Sequence, residues 1–314
     1  MLLLAGVLAL FALGAIFDMG GDDGRGEDAG DEAERDAGAP AIAGTGGDDI
    51  LSGSGADDML DGLAGDDQVN GQGGDDVIRG GSGRDYLLGG GGNDILSGGE
   101  DGDHLTGGDG NDTMSGDGGD DTLCGEFGDD VLLGGDGRDS LIGGAGDDAL
   151  DGGAGDDALH GSDGDDRLSG GLGQDYLQGG AGDDTLDGRV DDGAGGDDDV
   201  GDFLNGGRGD DRILIGRADR ASGGPGADGF VLGGWLSGAG GMATIDDYDP
   251  ASDTLYLMCD PDSDPQITAE TVGDPGAPGA VTRICLDGTL IAELLGAPAV
   301  DPSRIVLIPP DAAA

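Results

Sequence analysis

GGAGDDALDGGAGDDALHG, residues 143–161, contains nearly the same nine residues twice. The same nine-residue phase runs from Gly44 to Asp187 through sixteen consecutive units without an insertion or a deletion. The first position is Gly in all sixteen units, the fourth is Gly in fourteen, the sixth is Asp in all sixteen and the eighth is always apolar. Because composition alone would not keep Asp and the apolar residue in a fixed phase, the period predicts a repeat architecture.

The composition by itself is typical of a disordered chain. The protein has 76 Gly, 68 acidic residues and 13 Lys plus Arg, which gives a formal net charge of -55. So negative a surface repels nucleic acid and anionic lipid, and this leaves cations as the natural partners. We therefore expect disorder for the ion-free chain and an ordered fold once cations bind.

Each unit predicts a tight turn followed by a very short strand. Glycines at positions one and four permit a left-handed backbone, so positions one to six are expected to form the turn. In a strand of positions seven to nine, only position eight faces inward, which explains why it alone must be apolar. Such units cannot fold alone and must stack, with unit n beside unit n+2, into two parallel sheets of an all-β protein.

The predicted turns provide oxygen ligands for a metal ion. Position-six aspartates recur on the same side every eighteen residues, next to the bare carbonyls of glycine-rich turns. Carboxylate and carbonyl oxygens in an irregular cage suit Ca²⁺ better than Mg²⁺. Zn²⁺ prefers His or Cys, and we expect His104 and His160 to be isolated surface residues. The candidate metal ligands are Asp49, Asp58, Asp67, Asp76, Asp85, Asp94, Asp103, Asp112, Asp121, Asp130, Asp139, Asp148, Asp157, Asp166, Asp175 and Asp184, with Asp211 and Asp228 from two later units.

The unit GGxGxDxUx, where U is apolar, resembles the nonapeptide of the RTX, or hemolysin-type calcium-binding, family. The resemblance covers residues 44–187 closely and extends to 206–214 and, after a shift of one residue, to 223–231. It implies a parallel β-roll, a right-handed β-helix with multiple Ca²⁺ ions between consecutive turns and the position-six aspartates among their ligands. It also implies a secreted protein whose C-terminal region serves secretion machinery.

Four segments are predicted. Residues 1–17 are apolar and are expected to be either a cleaved signal or a membrane anchor. Residues 18–43 form an acidic linker, and residues 44–232 form the β-roll, with a degenerate stretch at 188–205 that includes an inserted loop at 189–200. Residues 233–314 are expected to form a small C-terminal β domain that caps the roll, with Trp235 packing in the cap.

The sequence predicts a calcium-binding structural or spacer protein, extracellular or on the cell surface. It lacks the HExxH and GxSxG motifs, so no enzyme is predicted. The alternative is a calcium-dependent adhesin or polysaccharide-binding module that uses outward residues on the sheet faces: Tyr86, Tyr176, Arg79 and Arg167. A clustered aromatic row on one sheet would favour this alternative. Cys259 and Cys285 either pair with each other or remain free thiols.

Overall fold

The computed structural model describes residues 41–189, 201–233, 236, 242–259, 265–274, 279–297 and 299–309. All of them belong to one compact unit, Gly38–Pro310. The predicted segment 1–17, most of the linker 18–43, Trp235 and nearly all of the inserted loop 189–200 lie outside the described residues.

Two sheets contain the strands, which are numbered here in chain order. The 13-stranded sheet, called the odd sheet, has the spatial order β1 (Ile42–Ala43), β3 (Met59–Ala64), β5 (Val77–Ser82), β7 (Ile95–Glu100), β9 (Thr113–Gly118), β11 (Val131–Asp136), β13 (Ala149–Ala154), β15 (Arg167–Leu172), β17 (Thr185–Asp187), β19 (Arg212–Leu214), β21 (Gly229–Gly233), β23 (Thr254–Met258) and β27 (Val306–Ile308).

The 14-stranded sheet, called the even sheet, has the order β2 (Ile50–Ser52), β4 (Gln68–Asn70), β6 (Tyr86–Gly91), β8 (His104–Asp109), β10 (Thr122–Phe127), β12 (Ser140–Ala145), β14 (Ala158–Asp163), β16 (Tyr176–Ala181), β18 (Phe203–Arg208), β20 (Arg220–Ser222), β22 (Ala243–Ile245), β26 (Thr289–Leu295), β25 (Val281–Leu286) and β24 (Ile267–Val272). A 3-10 helix spans Pro302–Arg304.

The chain alternates between the sheets, so each strand pairs in parallel with the strand two units away. Leu132 pairs with Met114 on one side and with Leu150 on the other. This register stacks the position-eight side chains into one buried ladder, which is the core of the solenoid. The predicted all-β parallel β-roll is confirmed, and the position-eight residues are buried from Leu60 onward, while Leu51 in the first unit is only partly covered.

The strands are longer than the sequence predicts. In most units of the array they span six residues, as in Ala149–Ala154, because the chain stays paired through positions one to three of the next unit. Gly152 at position one is skipped in the pairing, and Gly153 at position two has a φ of 100°. The left-handed glycine thus lets the strand bend without leaving the sheet, and the turn shrinks to positions four to six.

The C-terminal strands continue the two sheets. β23 and β27 extend the odd sheet in parallel, and β26 pairs in parallel with β22. β25 and β24 then add two antiparallel strands to the even sheet. Cys259 and Cys285 form no disulfide.

Candidate metal centre

The position-six aspartates form two rows, one along the turns that lead from the odd to the even sheet and one along the turns that lead back. In each row the backbone N–H of one Asp donates to Oδ1 of the next. Asp130 donates to Asp148 at 2.8 Å, and Asp148 donates to Asp166 at 2.8 Å. The first row contains Asp49, Asp67, Asp85, Asp103, Asp121, Asp139, Asp157, Asp175, Asp202 and Asp219. The second row contains Asp58, Asp76, Asp94, Asp112, Asp130, Asp148, Asp166, Asp184, Asp211, Asp228 and Asp253.

The rows therefore bring together every aspartate that the sequence predicts as a metal ligand, although ligation itself stays a prediction. Asp202, Asp219 and Asp253 join the rows without having been predicted. The step from Asp175 to Asp202 is 27 residues and the step from Asp202 to Asp219 is 17, against 18 between the earlier turns of both rows. A strict nine-residue count keeps Asp202 at position six but assigns it to the opposite side, and it misses Asp219 and Asp253. Each of the three is an Asp two residues before an inward apolar side chain.

The second carboxylate oxygen, Oδ2, is buried in most of these turns and accepts no hydrogen bond. A buried acceptor without a partner costs about 1–3 kcal/mol, and a charged one costs more. So regular a set of unsatisfied oxygens indicates a ligand that the protein residues do not supply. The oxygens concerned are those of Asp67, Asp76, Asp85, Asp94, Asp103, Asp112, Asp121, Asp130, Asp139, Asp148, Asp157, Asp166, Asp184, Asp211 and Asp228.

Each such Oδ2 lies beside the position-one glycine of its own unit. A Cβ on Gly152 would stand 2.6 Å from Oδ2 of Asp157 and 2.5 Å from the carbonyl oxygen of Gly170 in the next coil. The same two kinds of oxygen converge at Gly62, Gly80 and Gly125. Glycine is required here because any side chain would fill the space between a carboxylate and a backbone carbonyl, the donor pair expected for a hard cation.

Burial raises the pKa of most row aspartates between the first and last turns. Desolvation is the largest cause, and the N–H bond from the neighbouring Asp only partly offsets it. The pKa rises to about 7 at Asp103, Asp112, Asp148, Asp157 and Asp184, and to about 6 at Asp76, Asp85, Asp121, Asp166, Asp211 and Asp228. The stacked rows thus disfavour bare carboxylates near neutral pH and favour a bound cation or proton.

Position five forms a second hydrogen-bond ladder that runs in the opposite direction. Here the N–H of the later coil donates to the earlier side chain, as from Asp147 to Oδ1 of Asp129 at 3.0 Å. Asn111 accepts in the same way from the N–H of Asp129, which explains why either Asp or Asn can occupy this position. On the second-row side, this ladder is unbroken from Asp57 to Ala227.

Within the sixteen units from Gly44 to Asp187, the exceptions at position five all lie on the first-row side. They are Arg84, Gly102, Arg138 and Gln174. The Arg138 guanidinium pairs with Asp120 at 2.6 Å and lowers the pKa of that carboxyl. The two sides of the roll therefore differ in charge and in hydrogen bonding. The difference follows from the fold, which places alternate units on opposite sides.

The donor set fits calcium. Among the residues that the structure describes, no three His, Cys, Asp or Glu side chains converge on one point. A metal in the rows would therefore take at most two of these side chains and most of its oxygens from the backbone. Ca²⁺ accepts such a mixed, irregular set of oxygens, whereas zinc sites need converging nitrogen or sulfur ligands.

The remaining predicted residues lie on the sheet faces. His104 and His160 are exposed on the even sheet, and Arg79 and Arg167 are exposed on the odd sheet. Tyr86 stacks against His104 with ring centroids 4.8 Å apart. None of the described helical residues forms a helix long and apolar enough to cross a membrane.

The comparison with protein families agrees with this geometry. A family model described as the RTX calcium-binding nonapeptide repeat (4 copies) matches at residues 42–69, 61–96, 70–105, 88–123, 97–132, 125–159 and 160–194. No curated protein matches the chain. Among solved structures, the extracellular lipase LipA from Serratia marcescens is similar at 16% identity and a TM-score of 0.21, over 72% of this chain and 40% of that one.

Proposed function

We propose, from the premise that residues 42–194 belong to the RTX calcium-binding nonapeptide-repeat family, that this protein folds when it binds calcium and then acts as a structural spacer. The observation that carries the proposal is the buried, unpartnered Oδ2 in turn after turn of both aspartate rows. These oxygens make metal-free folding unfavourable, because each row Asp must be desolvated as an anion or take up a proton. When bound, calcium supplies positive charge and replaces the missing hydrogen bonds of the row carboxylates.

The core alone is too thin to oppose this cost. Each unit buries only one large apolar side chain, and so little burial does not offset the conformational entropy lost when nine residues become ordered. The net charge of -55 adds repulsion between the coils. We infer that folding is coupled to metal binding at the turns.

We propose an extracellular or cell-surface location. Extracellular calcium modules bind at about 10⁻⁴–10⁻³ M, so a chain with sites of this kind would stay unfolded inside the cell and fold after export. In this proposal residues 1–17 serve as a cleaved signal or an anchor, and residues 233–314 engage the secretion machinery. Intact-mass analysis of the exported chain tests the first part, because a cleaved signal removes the N-terminal residues and an anchor does not.

The decisive experiment is a far-UV circular dichroism titration of the full chain with Ca²⁺, with Mg²⁺ at matched ionic strength as the control. The proposal requires a cooperative coil-to-β transition with calcium alone. No transition, or an equal response to magnesium, would overturn it and leave the repeats as a polyanionic chain. No catalytic role is included in the proposal.

A groove on the even sheet favours polysaccharide binding as a second candidate. Tyr176 and Phe203 are neighbours in register and are 49% and 44% exposed. They line a groove of about 230 Å³ together with Asn205 and the ion pair between Arg220 and Asp246, whose atoms are 2.6 Å apart. Exposed rings flanked by amide and charged groups suit the apolar face and the hydroxyls of a sugar.

The exposed aromatic residues of this sheet do not form one row, since Tyr86 lies beside His104, Tyr176 lies beside Phe203, and Phe127 is exposed on β10 between the two pairs. Affinity electrophoresis on neutral polysaccharide gels with calcium tests the second candidate. Tyr176→Ala should remove the retardation, and Tyr86→Ala, which also removes an exposed ring from the same sheet, should keep it. Equal migration of wild type with and without polysaccharide would eliminate this candidate.

A further inference from the structure

The two aspartate rows begin with a turn that differs from the repeated one. Oδ2 of Asp49 accepts the backbone N–H of Thr45 at 2.6 Å and its hydroxyl at 2.9 Å. Oδ2 of Asp58 accepts the backbone N–H of Ser54 at 2.6 Å and its hydroxyl at 2.9 Å. The carboxylate that opens each row therefore has two donors from its own turn.

The rows also end with satisfied carboxylates. Oδ2 of Asp219 accepts the N–H of Gly216 at 2.5 Å. Oδ2 of Asp253 accepts the N–H of Asp249 at 2.7 Å, and the Ser252 hydroxyl donates to Oδ1 of Asp253 at 2.9 Å. At both ends of both rows, Oδ2 thus accepts hydrogen bonds from the protein, whereas in most of the turns between them it accepts none.

A change in backbone conformation at position two accounts for the N-terminal difference. Leu63, Gln72 and Gly81 hold position two of the next units with φ values of 78°, 79° and 118°. Thr45 and Ser54 hold the same position without a positive φ. Because a positive φ at position two turns the N–H of that residue away from the direction it has at negative φ, the first turn on each side donates to its own Asp and the later turns do not.

We propose that Asp49, Asp58, Asp219 and Asp253 close the two rows as metal-free caps, and that calcium is held only by carboxylates between them. At Asp49 and Asp58 two donors occupy Oδ2, so a metal there would have to displace one of them and leave it without a partner. At Asp219 and Asp253 one backbone N–H donates to Oδ2 and partly replaces the positive charge that a metal would supply. The caps satisfy the row ends at any calcium concentration, as terminal repeats of other solenoids do with polar outer faces. This inference rests on the proposed calcium binding of the rows.

Calcium stoichiometry tests the caps directly. Equilibrium dialysis of the full chain with calcium alone, followed by atomic absorption, gives the number of ions bound per chain at saturation. Asp49→Asn and Asp58→Asn alter the caps, and Asp67→Asn and Asp76→Asn make the same change one coil further along the same rows. The cap variants should bind as many ions as wild type, and each interior variant should bind about one fewer.

Two results would overturn the inference. If Asp49→Asn or Asp58→Asn loses as many ions as its interior partner, the opening carboxylates are ligands and not caps. If wild type binds no calcium, the proposed function itself fails. This outcome differs from the first, in which wild type binds calcium and only the cap assignment is wrong. Ser54→Ala guards against an unfolded Asn variant, because it removes only the hydroxyl that donates to Asp58 and should keep the ion count while lowering the melting temperature.

Discussion

Replacing Asp148 by Asn should stabilise the metal-free protein and weaken the calcium-bound one. Asp148 is fully buried, and its Oδ2 has no hydrogen-bond partner beside Gly143. An amide keeps the Oδ1 acceptor for the N–H of Asp130, at 2.8 Å in the native protein, and removes the negative charge. The neighbouring Asp147 is exposed and accepts from Asp165 at 2.9 Å, a role that asparagine fills elsewhere in the array, so Asp147→Asn is the matched control.

The pKa of Asp148 gives the size of the effect. Desolvation raises it from 3.8 to about 7, and a difference of one in pKa corresponds to about 1.4 kcal/mol. Ionised Asp148 therefore costs the metal-free fold about 4 kcal/mol above pH 7. The folded state binds the proton more tightly than the unfolded state, so this cost appears as pH rises from about 4 through 7 and is absent below about 4. The same sign holds for the other row aspartates whose pKa burial raises, such as Asp112 and Asp157, so the metal-free wild type should gain β structure as pH falls from 8 to 5.5.

Far-UV circular dichroism measures both effects. In metal-depleted buffer, Asp148→Asn should move the pH midpoint of β formation to higher pH. At pH 8, the calcium concentration that half-folds the chain should rise, because the variant has lost a carboxylate ligand. Asp147→Asn should change neither midpoint. The reasoning fails if the two variants behave alike, or if Asp148→Asn shifts both midpoints in the direction of weaker folding.

Two further predictions concern the glycine cradle and the core. Gly152→Ala places a Cβ 2.5 Å from the Gly170 carbonyl oxygen and should cost about 1–3 kcal/mol in urea unfolding with calcium, while Gly46→Ala, with nothing within 4 Å, should change stability by less than about 0.5 kcal/mol. Leu132→Ala empties a fully buried ladder position and should cost about 2–5 kcal/mol in the same assay, whereas Leu172→Ala at a 55% exposed site should be nearly neutral. Equal losses in either pair would contradict the assigned packing.

The sequence predicts the interior of the array better than its ends. An unbroken nine-residue phase specifies which side chains face inward and which aspartates share a side, because stacking converts sequence period directly into position. The phase does not place Asp202 and Asp219 correctly. A step of 27 residues moves Asp202 to the first row, and a step of 17 residues then brings Asp219 into the same row. The hydrogen bonds from Thr45 and Ser54 to the first aspartates could not be predicted either, since they depend on the backbone conformation at position two and not on residue type alone.

The opposed ladders at positions five and six also determine how the roll would respond to force. In both ladders a turn donates to the turn of the adjacent coil and accepts from it, so each coil is joined to its immediate neighbours. Tension applied between the ends of such a stack acts on the outermost coil first, and that coil can peel away while the rest stays folded. Each detached coil of two nonapeptides releases about 60 Å of chain in exchange for about 4.8 Å of stack. The folded array would thus behave under load as an extensible tether that lengthens in equal steps.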